Sequence, residues 1–175
     1  NTIKPQSEFF VIKSFSEEDI HKAIKYNLWS STKTGNSTLD NSFKKTKEIG
    51  AETYLFFSTN ASGKFSGMAR IKGDLQDDKI FPFWSQDQKW AGIFEIEWIF
   101  IKDCPFREFK NIIIPMRDGE TKCVSNSRDT QGIPEKEGLL MAEITQNFVY
   151  SNTILEHFEY YDLRQENYER NNPLN

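Results

Sequence analysis

FFVIKSFSEEDIHKAIKYN, residues 9 to 27, changes its hydrophobic period partway along, and that change decides the fold class. Phe9 to Phe15 is β-branched and aromatic and reads as a strand. Ser16 then opens Ser-Glu-Glu-Asp, where its hydroxyl can cap a helix and Asp19, three residues on, can close a capping box. Ile20, Ala23 and Ile24 recur at helical spacing, so the helix runs to about Asn27 and leaves Trp29 just beyond its end. A strand feeding a helix is therefore the opening unit.

Downstream, TGNSTLDNS (34 to 42) reads as a polar loop, with a short helix around Phe43 to Lys47. TYLFFS (53 to 58) and KFSGMARIK (64 to 72) read as strands joined by the turn-forming Thr59-Asn60-Ala61-Ser62-Gly63, which makes a hairpin. FEIEWIFIK (94 to 102) alternates, placing Phe94, Ile96, Trp98 and Phe100 on one face and Trp98 in the core. NIIIP (111 to 115) is a further strand, and NSRDTQGIP (126 to 134) a polar loop ending in Pro134 at a first helical position. Helices over about 135 to 149 and 153 to 169 close the chain, the second with Ile154, Leu155, Phe158 and Tyr161 on one face. Strands fill the middle and helices the ends, which predicts an α+β domain with a mixed or barrel-like sheet.

The length of 175 residues suits one domain with a real core. Cys104 and Cys123 are far apart with no CxxC spacing, so neither a zinc site nor a disulfide framework is indicated and a reduced, intracellular protein is expected. No apolar run reaches the ~18 residues of a membrane span. Residue 1 is not a Met, so a targeting segment is expected to be absent or trimmed. The sequons at Asn36 and Asn60 read as chance. The net charge of −4 argues against grip on nucleic acid by bulk phosphate attraction. The average hides an asymmetry: residues 1 to 72 hold 11 Lys/Arg against 7 Asp/Glu, and residues 73 to 175 hold 11 against 19, so a basic face remains open to one end of the chain.

A catalytic centre would need a nucleophile with its base, a carboxylate pair or a metal cluster. His21 and His157 both fall in helices without a ligand partner at metal spacing, Ser62-Gly63-Lys64 lacks the surrounding phosphate-loop pattern, and no cofactor motif occurs. No enzyme, metal or cofactor is expected. A binding pocket is suggested instead by WSQDQKWAG, residues 84 to 92, where two tryptophans flank a polar run with neither strand nor helix period. Trp29, Trp84 and Trp90 thus sit on loops or element ends, where rings serve as pocket walls as well as core. Three such walls suit a methylated group: a methyl-lysine held by cation–π attraction, or a methylated base held by stacking. Residue pattern alone leaves both open.

FFVIKSFSEEDIHKAIKYNLWSST (9 to 32), WSQDQKWAGIFEIEWIF (84 to 100) and NSRDTQGIP together closely resemble the YTH domain, particularly the cytoplasmic branch of that family and its fungal members, over roughly residues 8 to 165. Residues 1 to 7 and 166 to 175 then flank the domain. The resemblance implies a curved, barrel-like mixed sheet surrounded by α-helices. It implies a cytoplasmic reader of N6-methyladenosine in single-stranded mRNA, acting on stability or translation through decay machinery met by regions outside the domain. By position, it implies a cage of Trp29, Trp84 and Trp90. Asp19 and Asn60 meet the base edge, Ser30 accepts the remaining N6–H through its carbonyl, Lys13 and Phe15 line the rim, and Arg128 contacts phosphate. Three departures stand out: one additional residue between the loop tryptophans, where family members commonly read WSQDKW; Phe15 for a common Tyr; and Ser30 for a common Cys.

Overall fold

Residues 2–81, 92–150 and 152–171 are described by a computed structural model of the chain. The opening unit forms as its sequence predicts: β1 (Glu8–Ser14), α1 (Glu17–Tyr26) and a two-residue β2 (Leu28–Trp29). There follow α2 (Lys33–Glu48), the hairpin β3 (Thr53–Thr59) and β4 (Lys64–Ile71), and the long β5 (Phe94–Pro105). A small hairpin, β6 (Ile113–Pro115) and β7 (Thr121–Cys123), precedes β8 (Gln131–Ile133), α3 (Glu135–Asn147) and α4 (Phe158–Asn171).

Six strands form one sheet in the order β2-β5-β4-β3-β1-β8. β1 and β3 are parallel because α1, β2 and α2 carry the chain back between them; the remaining neighbours are antiparallel. Register shifts in β3–β4 and β4–β5 bend the strands, and the mixed sheet curls into a half-barrel with helices around it. Alternation along β1 buries both faces: Phe10 and Ile12 enter one cluster with Ile20, Leu39, Phe43 and Leu55, while Phe9 and Val11 enter another with Phe56, Phe109 and Met141.

Four sequence expectations are corrected. The polar loop at 34 to 42 is the first half of α2. Its caps and small buried groups explain this: Thr32 accepts the Gly35 N–H at 3.0 Å, and Asn36, Leu39, Phe43 and Thr46 are buried at helical spacing. Burial of Leu39 and Phe43, worth about 1.5–3 kcal/mol each, offsets the weak helix propensity of the rest. In β5, Phe94, Ile96 and Trp98 share the predicted face, but Phe100 joins the other cluster. Ala69 pairs with Trp98 and Met68 with Phe100, so Ile99 is an extra residue that inverts the phase. The loop at 126 to 134 contains β8, with Pro134 as the cap of α3 rather than its first residue. Finally, 154 to 157 is a 3-10 turn, so Ile154 is buried while Leu155 is exposed.

Candidate nucleic-acid interface

Where β1 ends, Ser14 turns the chain by donating its hydroxyl to the Ser16 carbonyl at 2.7 Å, and Ser16 caps α1 by accepting the Asp19 N–H at 3.2 Å. That fixes Asp19, buried, in the first turn of α1. α1 ends at Asn27 in the left-handed region (φ 56°), and the reversal feeds β2, where Trp29 pairs with Phe94. Trp29 is thus in a short strand rather than a loop, 5% exposed, set edge-on against Phe57 at 5.0 Å. These segments meet in one cleft lined by Lys13, Ser14, Phe15, Asp19, Trp29, Ser30, Ser31 and Asp129. Five of the residues singled out from sequence, Lys13, Phe15, Asp19, Trp29 and Ser30, converge there. Trp29 both belongs to the core cluster and lines this cleft.

Asp129 and Ser31 were not singled out, and they hold the cleft together. The Asp129 carboxylate accepts the Lys13 N–H at 3.0 Å on one oxygen and the Ser31 hydroxyl at 3.1 Å on the other, joining β1 to the segment after β2. Burial pushes this carboxyl above its usual range, against the opposing pull of those hydrogen bonds. Buried Asn36 accepts the Ser31 N–H at 2.8 Å, a structural use for a side chain that the sequon reading had left as chance. A Cβ at Gly35 would fall 2.1 Å from the Ser31 hydroxyl oxygen, so any other residue there forces that hydroxyl to move. The sole sequence signal for Asp129 was its place beside Arg128 in NSRDT.

Trp84 and Trp90 lie outside the described residues. The described residues bordering their stretch are tied to the cleft: Ser30 donates its hydroxyl to the Gly92 carbonyl at 2.7 Å, the Gly92 N–H donates to Lys79 at 2.8 Å, and Gln76 bridges Ile93. The rim is mixed. Phe15 is 56% exposed, and the Lys13 ammonium sits 4.7 Å from the Phe106 ring centre, with its pKa lowered by burial. Asn60, exposed in the β3–β4 turn, donates its N–H to the Ser14 carbonyl at 3.0 Å. Arg128, next to Asp129, is exposed. Asn60 and Arg128 flank the cleft without lining it.

The space inside is about 20 Å³, room for a water but not for a flat ring. Clefts of about 650 and 660 Å³ lie elsewhere, one between β1, β8 and the end of α2, the other between α3 and β3–β5. Among the described residues, neither is lined by a tryptophan. The histidines also sit apart from the small cleft: His21 is buried with its ring 4.3 Å from Phe158, in the packing of α1 against α4. Aromatic walls, a buried carboxylate and serines, and cations on the rim together suit a flat heteroaromatic ring with an anionic tail.

The family described as YT521-B-like domain (YTH) matches residues 7–146. The chain is 42% identical over 162 residues to YTH domain-containing protein ECT3 of Arabidopsis thaliana, covering 91% of this chain and 32% of that protein. It is 41% identical over 157 residues to human YTH domain-containing family protein 2, covering 90% and 26%. The chain therefore spans a third or less of the length of these relatives. Among solved structures, the Pho92 YTH domain in complex with m6A superposes with a TM-score of 0.81 at 34% identity, covering 89% of this chain and 95% of that one. The YTH domain of Zygosaccharomyces rouxii MRB1, in complex with N6-methyladenosine RNA, gives 0.76 at 34%, covering 86% and 94%. With the family's sequence pattern and its fold both present over most of its length, this chain belongs to the YTH domain family.

Proposed function

We propose that this chain reads N6-methyladenosine in single-stranded RNA, the methylated base entering the cleft between the end of β1, the start of α1 and β2. The observation that carries the reading is the meeting of Asp19, Trp29 and Ser30 in one cleft of a chain similar to two YTH domains solved with that ligand. Trp29, with Trp84 and Trp90, encloses the methyl. Asp19 and Asn60 meet the base edge, the Ser30 carbonyl accepts the remaining N6–H, Lys13 and Phe15 border the entering strand, and Arg128 holds a phosphate.

The methylated amine is neutral, so the cage gains little from cation–π attraction and works by apolar burial and stacking. Burying one methyl contributes about 0.8 kcal/mol, a few-fold in affinity. Stacking contributes roughly 1–3 kcal/mol per base but favours both forms. Larger selectivity comes from the gap that an unmethylated amine leaves between dry rings, where dispersion contacts are forfeited. The base must swing out of its strand, which selects single-stranded RNA. The role is that of a binding module in the cytoplasm, acting on mRNA stability or translation through decay machinery that regions outside residues 8 to 165 engage.

Competition separates a base reader from a methyl-lysine reader. Free N6-methyladenosine should displace a bound methylated RNA, and a trimethyl-lysine peptide should not. Displacement by the peptide alone would sink the RNA reading.

A further inference from the structure

The turn between β6 and β7 is fastened onto the segment that carries Arg128. Gln131, buried in β8, accepts the Arg117 N–H at 3.4 Å and donates to the Pro115 carbonyl at 3.4 Å. The Arg117 guanidinium donates to the Asp129 main-chain carbonyl at 2.8 Å. The charges on the two segments interleave. The Asp118 carboxyl is held below its usual range first by the Glu120 N–H, then by the Lys122 and Arg128 cations, while Arg117 acts on Asp129. Arg117 is thereby anchored at the junction of the turn with the segment that carries Arg128.

Asp129, which lines the cleft, is thus held at two points: its carboxylate accepts the Lys13 main-chain N–H, and its main-chain carbonyl accepts from the Arg117 guanidinium. Lys122, the other cation of this hairpin, is engaged by Glu120 at 3.0 Å and Asp118 at 3.6 Å. Arg117 is exposed, and its bond to the Asp129 carbonyl uses one of five N–H donors while orienting the guanidinium at the surface. The remaining donors suit bidentate capture of a phosphate, and the ordering already done reduces the entropy lost on binding.

We propose that Arg117 is a second backbone clamp, gripping with Arg128 the phosphodiester beside the methylated nucleotide and making the β6–β7 turn part of the RNA interface. The proposal rests on the RNA reading of the cleft. It adds to that reading an element that approaches the ligand only through its backbone.

Three ligands test it: free N6-methyladenosine, a short RNA carrying it, and the unmethylated twin, each titrated over a range of salt. Arg117→Ala should leave nucleoside affinity unchanged and weaken both RNAs by about three- to ten-fold, with the slope of log affinity against log salt falling by about 0.7. Arg117→Lys should restore the slope but only part of the affinity, since an ammonium lacks the bidentate fork. Equal loss on nucleoside and RNA would overturn the proposal, because Arg117 would then act by holding Asp129 in the cleft. Unchanged RNA affinity and slope beside intact nucleoside binding would overturn it too. A wild-type chain that binds neither nucleoside nor RNA would remove the RNA reading itself, a different result from either.

Discussion

The roles proposed for Trp29 and Arg128 are the two kinds of contact a reader of one modified base needs, and their substitutions should fail in different ways. Trp29 is core as well as wall, so Trp29→Ala should cost roughly 3–5 kcal/mol of stability. Measured on protein still folded by circular dichroism, it should also drive the ratio of methylated to unmethylated affinity toward one. Exposed Arg128, replaced by Ala, should leave Tm in place and weaken both RNAs alike, preserving the ratio. The reverse pattern would mean the two roles are misassigned. Asp129 gives a pH signature. Its folded pKa is raised, so between its ordinary value and the raised one the folded chain binds more protons than the unfolded chain. Its contribution to stability is therefore present at low pH and lost as pH rises through the folded pKa. Asp129→Asn, which can still accept from Lys13 and bond Ser31, should lack this contribution, so the wild type should gain Tm relative to the variant as pH falls from neutrality toward the ordinary carboxylate range. No relative gain would argue against a carboxyl at Asp129 raised by the fold. Asp19 and Trp29 stand out from the residue pattern itself, while Lys13, Phe15 and Ser30 enter through the family resemblance; all five lie within 18 positions of one another around one strand–helix turn. Asp129 was not legible, since its bonds reach back 116 and 98 positions to Lys13 and Ser31, and no local pattern encodes them.

Among elements, the strand–helix opening and the β3–β4 hairpin announce themselves by period and turn chemistry, and both form as the sequence predicts. α2 was hidden because its buried face is built from Gly35, Asn36, Ser42 and Thr46 as much as from Leu39 and Phe43, and its buried Ser42 and Thr46 hydroxyls reach a distant partner, Thr53. Phe100 was misplaced because a single extra residue, Ile99, inverts a strand's alternation without altering its composition. The start of α2 also governs the cleft. Gly35→Ala ought to help an isolated helix by about 1 kcal/mol. Here its methyl would displace the Ser31 hydroxyl, with Thr130 3.0 Å away on the other side. The Ser31–Asp129 bond should break, and RNA affinity should fall several-fold; undiminished affinity in Gly35→Ala would show that this bond does not organise the cleft.

At the scale of the molecule, a half-barrel sheet with helices on both faces brings the end of β1, the start of α1, β2 and the segment before β8 to one place, while the net charge stays at −4. Such a protein does not hold RNA by bulk attraction, so its affinity must come from one base and a few phosphates. That makes the methyl group decisive. The most direct test is calorimetric titration of a short single-stranded RNA carrying one N6-methyladenosine against its unmethylated twin, at one salt concentration. The account predicts saturable one-to-one binding of the methylated strand, with the twin weaker by more than the few-fold that burial of one methyl at about 0.8 kcal/mol supplies. Equal affinity for the two strands would contradict it.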